Sequence, residues 1–305
     1  MKCRLLYAII AFLLCYAPGI PQQGQKQEGE TLKFSVESQL VEVYVTVTKG
    51  NQLVPHLKAT DFSLAEDGMP VDIDRLDDQQ VPLQIVLLVD TSESIRDSLN
   101  TIQDAAIAFI NSLTDQDRVT LILFNSEIQA FQQLTDDRKP IIQEIRKARA
   151  RGMTKLYDSM LLGMKHLEGK PGRKAIVCFS DGQDTSGTSS RSAVLNAAAR
   201  FGFPIYTIGA GAGLELSTLK IILRQFAEIN GGRAFFIQSI DKLRDTFAEV
   251  AAQLRSAYVL NYYTRIPSDG QWHDISIKTA DPQYEVHARK GFFAKRNRVE
   301  PAQAD

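Results

Sequence analysis

Five oxygen-bearing side chains stand where hydrophobic strand-like runs give way to turns or helices. Asp90, Ser92 and Ser94 lie in the run Asp-Thr-Ser-Glu-Ser after PLQIVLLV. Thr154 closes the turn Gly152-Met153-Thr154 ahead of LYDSM, and Asp181 precedes Gly182 after AIVCFS. In open α/β sheets, ligands gather at the carboxyl ends of strands. Two carboxylates and three hydroxyls suit a hard cation: Mg²⁺, or Mn²⁺ or Ca²⁺ in its place. Such an ion takes an oxygen shell with few carboxylates and some retained water. A set of this kind leaves room for one outside ligand. Each fragment alone has a plainer reading. Asp and Ser favour strand ends and helix N-caps, Thr154 could cap its own helix, and Asp-Gly could be a simple turn. Their joint occurrence is what argues for a shared site.

The elements around these residues alternate in character. PLQIVLLVD is continuous and β-branched, as expected of a strand covered on both faces. After it, Ile95, Leu99, Ile102, Ala106, Phe109, Ile110 and Leu113 recur every three or four residues, one face of a helix. RVTLILFN, KAIVCFS, PIYTIGAG, RAFFIQ and SAYVLNYY read as further strands. KPIIQEIRKARA, LYDSMLLGMKHLE, RSAVLNAAARFG, LSTLKIILRQFAEI and IDKLRDTFAEVAAQL read as helices. Strands alternating with amphipathic helices predict an α/β fold, a doubly wound and mainly parallel sheet with helices on both sides.

The flanks differ. Val41, Val43, Val45 and Val47 have a period of two, fitting a strand with one buried face. Lys49-Gly50-Asn51 and Asp67-Gly68 supply turns, and alternation returns in WHDISIKTADPQYEVHARKGFFA. Neither flank can bury much alone, so together they predict one small β-sandwich beside the α/β domain. The expected layout is a leader over 1–20, a linker over 21–30 and an N-terminal β region over 31–80. The α/β domain follows over 83–255, a C-terminal β region over 256–294 and a tail over 295–305.

Composition sets the class. The chain has 305 residues, 44% hydrophobic and 23% charged, enough for one large and one smaller domain. A formal net charge of -1 offers nucleic acid no general attraction. Lys2 and Arg4 before the apolar stretch Leu5 to Ile20, followed by PQQGQKQEGE, form the pattern of a secretory leader. That stretch is shorter than the ~20 apolar residues that span a bilayer comfortably. Export to the periplasm, the cell surface or the medium follows as an expectation, with membrane attachment only through this segment if it stays uncleaved. Cys15 raises lipidation, but Leu14 is bulkier than the small residue usual before a lipidated cysteine. Of the three cysteines only Cys178 lies beyond the leader, and AIVCFS places it in a core strand.

Asp-x-Ser-x-Ser after a first hydrophobic strand, a threonine in a G-x-T turn and Asp-Gly after a later strand resemble the metal-ion-dependent adhesion site of von Willebrand factor A domains. The resemblance covers about residues 83 to 255. It implies that Ser92, Ser94 and Thr154 touch the metal directly while Asp90 and Asp181 act mainly through water. It also implies that an Asp or Glu carboxylate of a protein partner fills the open position. The flanking phrases VEVYVTVTKGNQLVPHLKATDFSLAEDGMPV, LRSAYVLNYY and VHARKGFFA are similar to a VWFA-related family of acidobacterial genomes, whose members are typically exported. The expected function is thus metal-dependent protein binding rather than catalysis.

Rival readings are weaker. Asp90 could serve as nucleophile of a Mg²⁺-dependent phosphotransferase, but Ser92 stands where such a site needs a second acid. A structural module without metal is the other alternative. Gly209 to Gly213 fits no nucleotide-binding spacing. His56, His166, His273 and His287 form no zinc motif, and no G-x-S-x-G elbow occurs. From Arg138 to Lys174 there are eleven Lys or Arg against three Asp or Glu, and Lys155 directly follows Thr154. The plainer reading is a solvated helix face. The other is a basic surface that draws in an acidic partner or lowers metal affinity until it arrives, which charge reversal at Arg149, Arg151 and Lys155 would test.

Overall fold

The structure, a computed structural model, describes residues 39–50, 52–77, 81–211 and 218–295. The expected leader (1–20), linker (21–30), first alternating run (31–38) and most of the tail (296–305) lie outside the described residues. In chain order β1 (Leu40–Lys49), β2 (Gln52–Leu53), β3 (Phe62–Glu66), β4 (Met69–Val71) and β5 (Arg75–Asp77) come first. Then follow β6 (Leu83–Asp90), α1 (Leu99–Ser112), β7 (Arg118–Phe124), β8 (Ile128–Thr135), α2 (Arg138–Lys147) and α3 (Leu156–Leu167). Next are β9 (Arg173–Ser180), α4 (Arg191–Phe201), β10 (Ile205–Ala210), α5 (Thr218–Glu228), β11 (Ala234–Ile237) and α6 (Leu243–Ser256). β12 (Tyr258–Tyr263), β13 (Trp272–Thr279), β14 (Glu285–Ala288) and β15 (Gly291–Phe293) complete the described elements.

The central sheet has the order β11-β10-β9-β6-β7-β8. All its pairings are parallel except β7 with β8, an antiparallel edge strand absent from the sequence reading. β6 shows why the sheet carries helices on both sides. Leu83, Ile85, Leu87 and Val89 enter the core shared with α1, α2 and α6, while Val86 and Leu88 enter the core shared with α3, α4 and α5. Each such aliphatic side chain contributes about 1.5–3 kcal/mol on burial. A one-residue slip would exchange every side chain between the two faces, so packing defines the register.

The flanks join as two further sheets. One has the order β14-β1-β12-β5 with β2 beside β1; the other runs β15-β13-β3-β4. Val41, Val43, Val45 and Val47 meet Phe62, Leu64, Tyr258, Leu260, Tyr262, Ile275 and Phe292 in one core, which makes a sandwich of the two chain ends. One expectation changes here. β1 is buried on both faces, because Tyr44 on its other side joins the core of α3, α4 and α5. The run SAYVLNYY, which follows the alternating strands and helices in the sequence but falls in the C-terminal β region from 256, forms β12: it pairs antiparallel with β1 and β5, and its Val259 reaches that same helical core.

Chain order puts the topological switch between β6 and β9. From β6 the chain goes out to β7 and β8, then returns to β9 on the other side of β6. The crevice at the carboxyl ends of these two neighbours is the place where an open α/β sheet accepts a ligand.

Candidate metal centre

Asp90 is the last residue of β6 and Asp181 directly follows β9, so the two carboxylates share the switch-point crevice. Asp90 is fully buried, at 0% exposure. Its Oδ1 accepts from the Ser92 backbone N–H at 2.8 Å and its Oδ2 from the Ser180 hydroxyl at 2.6 Å. Burial pushes the Asp90 carboxyl up to about 6, against the opposing effect of the Ser180 and Ser92 hydrogen bonds. Burial likewise raises Asp181, although the Ser94 hydroxyl donates to its Oδ1 at 2.7 Å. Among the described residues neither carboxylate pairs with Lys, Arg or His.

The hydroxyls complete the cluster. Ser92 Oγ and Ser94 Oγ lie 3.0 Å apart. A Cβ on Gly182 would sit 3.3 Å from Thr154 Oγ1 and 3.8 Å from Ser94 Oγ, so a side chain there would crowd the space between these hydroxyls. Residues 93–98 form a 3-10 turn before α1, where the apolar spacing predicts α-helix. Ser92 occupies the N-cap of that turn but its side chain makes no capping bond. Thr154 does not cap α3 either; that position is Lys155. The Thr154 hydroxyl makes no hydrogen bond to any described residue, although the side chain is 4% exposed. Capping, the plainer explanation for these residue types, therefore does not account for where their oxygens lie. All five side chains come together.

The loops are tied by backbone bonds that sequence spacing does not reveal. Arg151 N–H donates to Thr91 O at 3.0 Å and Glu93 N–H to Gly152 O at 3.0 Å. Gly152 has φ +71°, and a Cβ there would approach Ser126 Oγ to 2.5 Å; Met153 N–H donates to that same oxygen at 2.8 Å. From the other side, Thr154 N–H donates to Thr185 Oγ1 at 3.0 Å, while Thr185 and Ser186 N–H groups donate to Thr154 O at 2.9 and 3.1 Å. Ser180, Ser126, Thr185 and Asp184, which accepts from Tyr157 N–H at 2.8 Å, are supporting residues the sequence reading did not pick out. For Ser180, Asp184 and Thr185 the signal is the dense polar run SDGQDTS after a hydrophobic strand; Ser126 has none of this kind.

The basic stretch divides. Arg173 is buried, donating to Leu254 O and to Ala257 O, and Lys174 pairs with Glu42 at the start of β9, the opposite end of that strand from Asp181. Arg149 and Arg151 line a pocket with Thr91, Glu144 and Lys147. Arg149 donates to Lys147 O and Ala148 O at 3.1 and 3.0 Å, Arg151 is bonded to Glu127 at 3.2 Å, and Lys155 directly follows Thr154. Met153, next to Thr154, is 55% exposed.

Residues 84–249, more than half of the chain, match the family model of the von Willebrand factor type A domain. The chain belongs to this family. The chain is 24% identical over 207 residues to the uncharacterized protein sll0103 of Synechocystis sp., covering 66% of this chain and 48% of that protein. It thus spans about half the length of the curated relative it matches. A von Willebrand factor type A structure from Catenulispora acidiphila aligns over 87% of this chain and 76% of its own, at TM-score 0.52 and 13% identity. Proximal thread matrix protein 1 from the mussel byssus, with a zinc-occupied MIDAS motif, aligns over 63% of this chain and 50% of its own, at TM-score 0.51 and 19% identity. At these identities the two structures establish the VWA fold and leave the chemistry of the site to the residues themselves.

Proposed function

We propose that this VWA domain binds a protein partner through a divalent cation held by Ser92, Ser94 and Thr154, with Asp90 and Asp181 acting mainly through water. One observation carries the reading: three hydroxyls gather beside two carboxylates that lack a cationic partner among the described residues, and none of these hydroxyls caps a helix. Hydroxyl and carboxylate oxygens suit Mg²⁺, with Mn²⁺ or Ca²⁺ as substitutes. Zinc in the MIDAS motif of the mussel protein supports a divalent site on this fold. A cation coordinated largely by neutral oxygens keeps much of its charge, so it would supply an anchor for an Asp or Glu side chain of the partner. Ser94 and Asp181 form the accessible side of the crevice while Asp90 lies beneath. Exposed Met153 gives apolar contact next to that opening. Arg149, Arg151 and Lys155 add positive potential to steer an acidic partner.

Binding rather than catalysis fits the burial of Asp90. Both of its oxygens are engaged and none of its surface is exposed, which does not suit a phosphoryl-accepting nucleophile. The reading also carries export, motivated by the leader pattern. No described helix is long and apolar enough to cross a membrane.

Calorimetric titration of EDTA-treated protein with Mg²⁺, Mn²⁺ and Ca²⁺ tests the cation. Capture of partners from envelope extracts with and without the metal tests the rest, against a Ser92→Ala/Ser94→Ala control. A folded protein that binds none of the three ions defeats the proposal. Phosphatase activity that disappears in Asp90→Asn would replace it.

A further inference from the structure

At the other end of the central sheet a cavity of about 340 Å³ opens where the sandwich meets α3 and α4. It lies beside Lys174 near the start of β9, whereas Ser180 and Asp181 at the far end hold the candidate metal centre. Six residues of strand separate the two places, about 20 Å. The charges lining the cavity are Lys170, Lys174, Arg200 and Arg289 against Glu42 and Glu168, a balance of two positive. Lys174 is answered by Glu42 at 3.4 Å.

Arg289 is the anomaly. It follows β14, is 7% exposed, and no atom of its guanidinium hydrogen-bonds to a described residue; its Nε is fully enclosed with no partner. A buried cation without hydrogen bonds is costly, and burial pulls its guanidinium down to about 10, still charged at neutral pH. The surroundings hold it in place. It lies 5.6 Å over the Phe292 ring and fills the space that a Cβ on Gly202 would need, which Gly202 leaves free at φ +75° after the last turn of α4. Arg200, in that last turn, sits 4.8 Å over the neighbouring Phe293 ring. Two guanidinium groups are thus fixed against consecutive aromatic rings at one cavity, and the inner one has unused donors. Guanidinium forks match carboxylate and phosphate oxygens in pairs.

We infer that this cavity is a binding site for a small oxyanion, a phosphate or carboxylate group gripped by Arg289 and Arg200 and rimmed by Lys170. It is separate from the metal centre and does not depend on it.

The test is thermal unfolding and calorimetry of the whole EDTA-treated chain with inorganic phosphate and with citrate, against sodium chloride at matched ionic strength. Saturable stabilisation by phosphate or citrate, and not by chloride, is expected; the tighter of the two names the head group. Arg289→Met, which replaces the unpaired cation with an apolar chain of similar length, should fold and lose roughly tenfold to a hundredfold in affinity. Arg200→Gln/Lys170→Gln, at the rim, should weaken binding while leaving the unliganded melting temperature unchanged, and decides the matter if Arg289→Met folds poorly. Ser92→Ala/Ser94→Ala should bind the anion as the parent does. The site is refuted if neither anion stabilises the parent, or if both substitutions leave affinity intact. A third refutation is an Arg289→Met protein that is destabilised while anion binding persists, which would make Arg289 only a counter-charge to the carboxyl end of α4.

Discussion

Replacing Thr154 by valine separates the metal role of its hydroxyl from any structural one. The substitution exchanges one hydroxyl for a methyl. The backbone of Thr154, which carries all of its hydrogen bonds to Thr185 and Ser186, is untouched. Its hydroxyl bonds to no described residue, so metal-free stability should change by less than about 1 kcal/mol. With Mg²⁺ at a hundred times its dissociation constant, the parent gains about 2.7 kcal/mol. For a chain of this size that is a rise of about 5–10 °C in melting temperature. Losing a direct oxygen ligand should weaken the metal at least as much as the roughly 10- to 100-fold that losing an outer-shell partner costs. At the upper figure the variant, at the same Mg²⁺ concentration, gains only about 0.4 kcal/mol, a rise of about 1 °C. Differential scanning fluorimetry with EDTA and with Mg²⁺, on parent and variant, measures all four numbers. A variant that keeps the full Mg²⁺ shift would show that Thr154 is no ligand. One that is strongly destabilised in EDTA would show that its hydroxyl has a structural task.

Asp90→Asn should leave metal-free stability within about 1 kcal/mol of the parent, because the amide can still accept from Ser92 N–H and donate to Ser180, whose hydroxyl can turn to Gly182 O. Calorimetry should find its Mg²⁺ binding lost; retained binding would remove Asp90 from the site. In the sandwich, Tyr262→Phe deletes the 3.0 Å hydrogen bond to buried Glu66 and should cost about 1.5–3 kcal/mol in urea denaturation. Most of that loss should return in Tyr262→Phe/Glu66→Leu, where no buried carboxylate is left unpaired. His273 bonds Asp67 at 2.8 Å and Asp269 at 3.3 Å. Desolvation opposes its charge, yet these two acids raise the imidazole above its ordinary value, while its hydrogen bond lowers Asp67. The raised group stabilises fully below about pH 6.5 and loses that contribution as pH climbs through its folded value. The lowered acid stabilises fully above about pH 4 and loses its share as pH falls through its own. The stability gap between parent and His273→Asn should therefore be wide at pH 5.5 and narrow at pH 9; equal urea midpoint differences at both would refute the triad.

Much of this was legible without coordinates, for reasons that are local. Strand β6 reads as doubly buried because its aliphatic run has to fill two cores, and the helices announce themselves through three- and four-residue spacing. Asp90, Ser92, Ser94, Thr154 and Asp181 stand out as candidates because short oxygen-bearing side chains at strand ends are a compositional signal, and the structure shows that they are neighbours. Other features depended on partners far away in the chain. β8, Ile128–Thr135, is an edge strand with one neighbour, and its sequence IQAFQQLT has neither a continuous apolar run nor a strict period of two. β12 resembles a central parallel strand since it too is buried on both faces, but its second face rests on the helices of the VWA domain while its hydrogen bonds go to β1 and β5. Whether the hydroxyls of Ser92 and Thr154 capped helices or faced a common cradle could not be read from spacing, because capping and cation binding call on the same residue types. Backbone bonds between loops that close only when the sheet forms decided it, and the same long-range packing left Arg289, unremarkable in the chain, buried beside a cavity with donors unused.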